Sequence, residues 1–202
     1  MVWHEVAEER VVKVATGEAY TDGSSKGGHW RITRAGWAFV VVDSEGRWRW
    51  TAKGTVAGLD CSSFRAELQA LLEVLRVTVP PLTIYVDNQA VVDGVNKGEE
   101  WCTRSGASCA VLWKKVWAIL KDLEGQEVVV QKVKAHTTWI QVLARMITYK
   151  NHIGNGWADQ AAKEAQSVAE QMSPTQGVRA QMGRCALAKV GRKIYGRVDQ
   201  GH

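Results

Sequence analysis

The chain has 202 residues, 46% of them apolar and 23% charged, a balance that suits one soluble globular domain with an appendage. No apolar run is long enough to span a membrane, so a membrane-embedded function is excluded and no membrane partner is expected. The net charge is +5 and the pI about 9.1; the stretch from Ser167 to His202 holds six Lys/Arg against two acids, so its own excess of +4 carries most of that charge and favours nucleic acid or another acidic surface.

The start, MVWHEVAEER, carries acids early and lacks an apolar signal core. No signal peptide is read there, and an intracellular protein, cytoplasmic or nuclear, is expected. Cys61, Cys102, Cys109 and Cys185 are scattered without a C-x-x-C pair, which fits reduced thiols better than zinc or disulfides.

Along the chain, residues 1–10 form an N-terminal extension, 11–171 the domain and 172–202 a basic tail, flexible or partly helical. Val11 to Asp22 is the first strand or its approach. AGWAFVVVD, from Ala35 to Asp43, is rich in β-branched residues, and Arg47, Trp48, Arg49 and Trp50 alternate into a third strand. Short links between these three predict an antiparallel meander.

The period then changes. Phe64, Leu68, Leu71, Leu72 and Leu75 fall at helical spacing, Ser62 or Ser63 can cap the start, and Pro80 and Pro81 follow the end. LTIYVD, from Leu82 to Asp87, is a short apolar strand, and NQAVVDGVN a short helix closing near Gly98. Leu112 to Leu123 is a second long helix with Trp113 and Trp117 one turn apart. EVVVQKVKAH is a further strand, and GNGWADQAAKEAQ a final helix with Asn155 as its cap and a small-residue face of Ala158, Ala161, Ala162 and Ala165. Strand–helix–strand crossovers imply an α/β fold, a mixed sheet with helices on its faces.

Four acids fall at element positions that can share one sheet edge. Asp22 and Asp87 end apolar strand runs, where sites form in α/β sheets, though a lone Asp there is as well explained as a turn former. Glu67 lies at the border of the apolar stripe of its helix, where a carboxylate is costly unless something pairs with it. Asp159 sits early in the last helix, favourable near its positive end. If the four converged they would repel, raising one another's pKa or requiring a cation. A carboxylate-only set suits hard divalent ions, Mg²⁺ with Mn²⁺ as substitute, and two such ions can drive phosphodiester cleavage. His136, after a strand in KAHTT, could shuttle a proton nearby; as plain structure it is a surface loop histidine.

YTDGS (Tyr20–Ser24), RAEL (Arg65–Leu68), YVDNQ (Tyr85–Gln89), KAH (Lys134–His136) and NGWAD (Asn155–Asp159) come in that order, and together they resemble the type 1 ribonuclease H family of the ribonuclease H-like superfamily. The match covers about Thr16 to Gln166. The resemblance implies a ribonuclease H-like fold, a five-stranded mixed sheet of three antiparallel then two parallel strands with helices on both faces. It implies an endonuclease hydrolysing the RNA strand of RNA–DNA hybrids with two Mg²⁺ ions and leaving 5′-phosphates. By motif, Asp22 would bridge both metals, Asp159 would hold the ion that activates water, and Glu67 and Asp87 the ion on the leaving-group side. His136 would assist water positioning, proton transfer or product release. Gly23 and Ser24 would lie near the phosphate backbone, Gln89 near the minor groove, and Ser63 and Asn155 complete the substrate-contact set.

The chain departs from the family in places. Ser63 and Phe64 stand where two Asn often contact the hybrid. The basic protrusion is reduced or absent in KGEEWCTRSGASCA. His136 and Asp159 are separated by an unusually long segment, in which Trp139, Val142, Leu143 and Met146 predict a small inserted helix at about 137–150, a lid, a partner surface or simple packing. A monomer is expected, either a free-standing enzyme or a domain related to those of reverse-transcribing elements, with a neighbouring reverse transcriptase or other domain as partner. The alternatives are a catalytically silent nucleic-acid-binding module and a DNA nuclease of the same fold.

Overall fold

The computed structural model of the chain describes residues 17–27, 34–56 and 61–171. The N-terminal extension, the loop at 28–33 and the basic tail expected at 172–202 lie outside the described residues. The described elements are β1 (Gly17–Lys26), β2 (Arg34–Val42), β3 (Trp48–Thr55), α1 (Ser63–Val77), β4 (Leu82–Val86), α2 (Gln89–Lys97), α3 (Glu99–Thr103), α4 (Ala110–Asp122), β5 (Val128–Lys132), α5 (Trp139–Leu143) and α6 (Tyr149–Gln171).

The strands form one five-stranded sheet in the order β3-β2-β1-β4-β5. β1, β2 and β3 pair antiparallel, and β4 and β5 add in parallel beyond β1. This is the mixed sheet expected from the alternation of strands and helices. Seven of the nine β2 residues, Ala35 to Val42 except Trp37, are buried in a strand covered on both faces, while the edge strands β3 and β5 bury no residue.

Alternation along the strands divides the core in two. Ala19, Phe39, Val41 and Ile84 pack with Leu68, Leu71, Leu72 and Leu75 of α1 and with Val91, Cys102, Trp113 and Val116 of α2, α3 and α4. Tyr20, Val40 and Val42 turn to the opposite face and pack with Ala158 of α6, beside a second contact of Ala38 with Ala161 and Ala162. Trp113 is buried to 1% exposure and Trp117 packs against the same cluster, while Lys114 and Lys115 are exposed. The tryptophan pair is therefore core, not a substitute nucleic-acid grip. Cys61 and Cys102 are buried and Cys109 is half-buried.

The small face of α6 brings its backbone onto the sheet. A Cβ at Gly36 would stand 2.3 Å from the backbone nitrogen of Gln166 and 2.5 Å from the carbonyl of Ala162. Backbone cannot yield as a side-chain tip can, so Gly36→Ala should destabilise the protein by about 3 kcal/mol. Urea denaturation checks this; a midpoint equal to wild type would disprove the contact.

The structure differs from the sequence expectations at three boundaries. β1 does not end at Asp22 but runs four residues further, because Ser24, Ser25 and Lys26 still pair with β2. The last helix begins at Tyr149, so Asn155 is not its cap but an interior residue, 4% exposed. The inserted helix is one short turn, Trp139–Leu143, and the rest of the stretch placed at 137–150 leads directly into α6. Both errors at α6 have one cause: Asn and Gly in HIGNGW weaken helix propensity locally, while packing against β1 and β2 holds the helix through them.

Candidate active site

β4 stops pairing with β1 at Thr21, opposite Val86. The next residues are Asp22, still bonded to β2 opposite Ala38, and Asp87, the first residue past β4. The parallel register thus brings two carboxylates side by side where β1 outlasts its neighbour. A third comes from α1. Gly23 lets that helix press on β1: a Cβ there would lie 2.3 Å from the backbone nitrogen of Glu67 and 2.6 Å from the carbonyl carbon of Ala66. The glycine after Asp22 is thus required first by helix packing.

Carboxylate oxygens of Asp22, Glu67 and Asp87 all lie within 4.8 Å of one another. Glu67 is 3% and Asp22 6% exposed, and Asp87 is half-buried. The border position read for Glu67 is in fact an interior one. Burial pushes the Asp22 carboxyl up to about 7, with Asp87 and Asp159 adding repulsion, while the Gly23 backbone N–H and Lys163 pull it down. Glu67 is raised well above the ordinary carboxylate range by burial and then by Asp22 and Asp87. Glu67 Oε2 is buried with no hydrogen-bond partner. Three converging carboxylates, two buried and one with an orphaned oxygen, fit a hard divalent cation, since a cation supplies what each of them lacks.

Asp159 is close enough to raise Asp22 but stands outside the tight trio, its Oδ2 accepting from Lys163 Nζ at 2.7 Å, one turn along α6. His136 is exposed in the loop after β5 with φ 47, a left-handed conformation that costs a non-glycine residue about 1 kcal/mol. Of the residues expected to touch substrate, Ser24 Oγ donates to Gln166 Oε1 at 2.6 Å and Ser63 Oγ to the Gly23 carbonyl at 3.0 Å. Gln89 is exposed and donates to Asp93 Oδ1 at 2.7 Å. Asn155 is buried with Oδ1 unpartnered.

Two cations of the site were not singled out from the sequence. Lys163 was legible, since Asp159 and Lys163 are four apart on one helix face. Lys132 was not: its ammonium donates to the carbonyls of Asp87 and Val133, a contact set by the pairing of β5 with β4.

Residues 15–167 match the family model described as RNase H. No curated protein matches the chain. Among solved structures, the prototype foamy virus RNase H domain superposes with a TM-score of 0.60 at 18% identity, covering 75% of this chain and 94% of that one. LC9-RNase H1, described as a type 1 RNase H with the type 2 active-site motif, gives 0.56 at 18% identity, covering 80% and 76%. The foamy viral protease-reverse transcriptase, in complex with RNA/DNA hybrid, gives 0.59 at 15% identity, covering 83% of this chain and 22% of that one, so the chain spans about a fifth of that longer protein. With more than half its length matched by the family model, and with the family's sheet order built around converging acids, the chain belongs to the RNase H family.

Proposed function

We propose that the protein is an endoribonuclease that hydrolyses the RNA strand of RNA–DNA hybrids by two-metal-ion catalysis, leaving 5′-phosphate ends. The observation that carries this is the meeting of Asp22, Glu67 and Asp87 from β1, α1 and β4, with oxygens within 4.8 Å and Glu67 Oε2 unpartnered. Asp22, Glu67, Asp87 and Asp159 would hold Mg²⁺, or Mn²⁺ in its place. Bound there, the ions supply the Lewis acidity that activates water and takes up charge on the leaving oxygen.

The chain's own residues set the frame for that chemistry. Burial keeps bulk water from solvating Asp22 and Glu67, so their charge is directed at a bound cation. Lys132 fixes the main chain of Asp87. Lys163 steadies Asp159 until a stronger cation competes for it. His136, exposed in the loop after β5, would be the group that moves a proton at its imidazole. Gln89 and Ser63, both exposed, are the surface groups offered to the hybrid, and shallow-groove contacts to 2′-hydroxyls would select RNA. The domain is taken as 11–171, and the monomeric state and any neighbouring reverse-transcriptase domain belong to the same proposal. The full acid set argues against a silent binding module.

The test is cleavage of a hybrid labelled on its RNA strand, beside RNA and DNA duplexes, in Mg²⁺ and in chelator. Mg²⁺-dependent cutting of the hybrid RNA alone is expected. Cutting of duplex DNA with the hybrid left intact would overturn the substrate assignment.

A further inference from the structure

The segment between His136 and Asp159 leaves a set of apolar side chains in water. Trp139 is 53% exposed, Ile140 76%, Leu143 80%, Met146 68% and Tyr149 53%. α5 buries no residue of its own. Yet the element is not loose. The Trp139 ring meets His152 edge-on at 4.8 Å between centroids and Tyr149 at 5.8 Å, and Thr137 Oγ1 is 2.7 Å from His152 Nδ1. A tryptophan is thus held in place with half its surface open.

The charge carried by the segment itself has one sign. No acid occurs between Glu127 and Asp159, whereas Lys132, Lys134, Arg145 and Lys150 do. Lys150 is paired with Glu18 at 2.8 Å, and Lys134 and Arg145 are exposed. An ordered, exposed aromatic ring in a basic, acid-free segment fits unpaired nucleobases on a phosphate backbone, through stacking and charge together. An apolar protein face would satisfy Ile140 and Leu143 but makes no use of the exposed cations Lys134 and Arg145.

The position is in line with the acids. His152 and Asp159 are seven apart and share a face of α6 about 10 Å along its axis. Tyr20 Oη donates to Asn151 Oδ1 at 2.7 Å, tying the start of that helix to β1 two residues before Asp22. At about 3.4 Å per nucleotide of one strand, that span along α6 from His152 to Asp159 matches some three nucleotides.

We propose that Trp139 and the α5 segment form a stacking platform for an unpaired strand continuing from the end of the hybrid; this rests on the ribonuclease reading. The platform would favour substrates whose duplex ends near the site.

The test uses the full chain carrying Asp22→Asn, so that substrate survives, and fluorescence anisotropy with three probes: a blunt hybrid, the same hybrid with a DNA overhang, and the same with an RNA overhang. At least one overhang should tighten binding about fivefold or more. Trp139→Ala should abolish that gain without changing blunt-hybrid affinity, and Trp139→Phe, which keeps a ring, should restore most of it. Leu143→Gln, at a site open to water, is a second variant with no folding cost and should reduce the gain. Equal affinity for blunt and overhung hybrids overturns the platform and leaves the ribonuclease reading standing. Self-association relieved by Leu143→Gln, with no overhang dependence, overturns it in favour of a protein interface. No binding to any nucleic acid overturns both readings.

Discussion

Asp22→Asn should lower the rate of hybrid cleavage at least a thousandfold while the protein stays folded and still binds the hybrid. Asn has almost the same shape, and the position is 6% exposed inside a paired strand, so packing is kept. What is lost is the negative charge at the centre of the cluster. Asp22 is the acid that feels both Asp87 and Asp159, so it is the residue able to link the trio to the fourth carboxylate. A thousandfold in rate is about 4 kcal/mol of transition-state stabilisation, a scale within reach of losing a metal-holding charge. Glu67→Gln should act similarly, because it removes a charge from a side chain 3% exposed. Single-turnover cleavage measures the chemical step, and anisotropy with intact hybrid measures binding. An Asp22→Asn protein cutting within tenfold of wild type would defeat the metal assignment.

The same four acids show where sequence reasoning reaches and where it stops. Their residue types suggested a hard-cation site if they converged, and it was the order of the five motifs around them, resembling ribonuclease H, that named the expected chemistry. The mixed sheet also followed from element order, since parallel neighbours require crossover helices, and the split into three antiparallel and two parallel strands came with the family resemblance. What could not be read was distance. That Asp22 adjoins Asp87 depends on the register Thr21–Val86, and that Glu67 reaches them depends on Gly23 letting α1 approach β1. Gly23 looked like room for a phosphate; its first task is to admit a helix.

The limits at α6 are different in kind. Asn155 and its flanking glycines carry the local signals of a helix start, yet the helix begins at Tyr149. Gly154 is kept by packing: a Cβ there would stand 2.4 Å from the ring of Tyr20. Tertiary contact with the sheet outweighs a propensity cost of about 1 kcal/mol per glycine. The α5 segment was legible as apolar periodicity, but periodicity does not say whether a face is covered, and here it is not.

The metal-free protein should lose stability as pH rises from about 4 to about 7, and Mg²⁺ should restore it only at the upper end. The Asp22 carboxyl titrates near 7 in the folded protein against an ordinary value of 3.8. Between those values the folded state keeps a proton that the unfolded chain has released, so the contribution is full below about 4 and is lost as pH rises through about 7. A shift of this size corresponds to about 4 kcal/mol across that window. Glu67 is raised in the same sense, by burial before its neighbours, and steepens the fall. A divalent ion bound by the native state alone stabilises it in proportion to RT ln(1 + [Mg²⁺]/Kd), and protons compete for the same oxygens. Thermal melts at pH 5 and pH 8, with chelator and with Mg²⁺, should therefore show a large Mg²⁺ gain at pH 8 and little at pH 5. Asp22→Asn should melt higher than wild type in chelator at pH 8 and gain far less from Mg²⁺. Wild type and Asp22→Asn sharing one pH slope and one Mg²⁺ gain would mean that the Asp22 carboxylate is not strained by its neighbours and does not bind the ion.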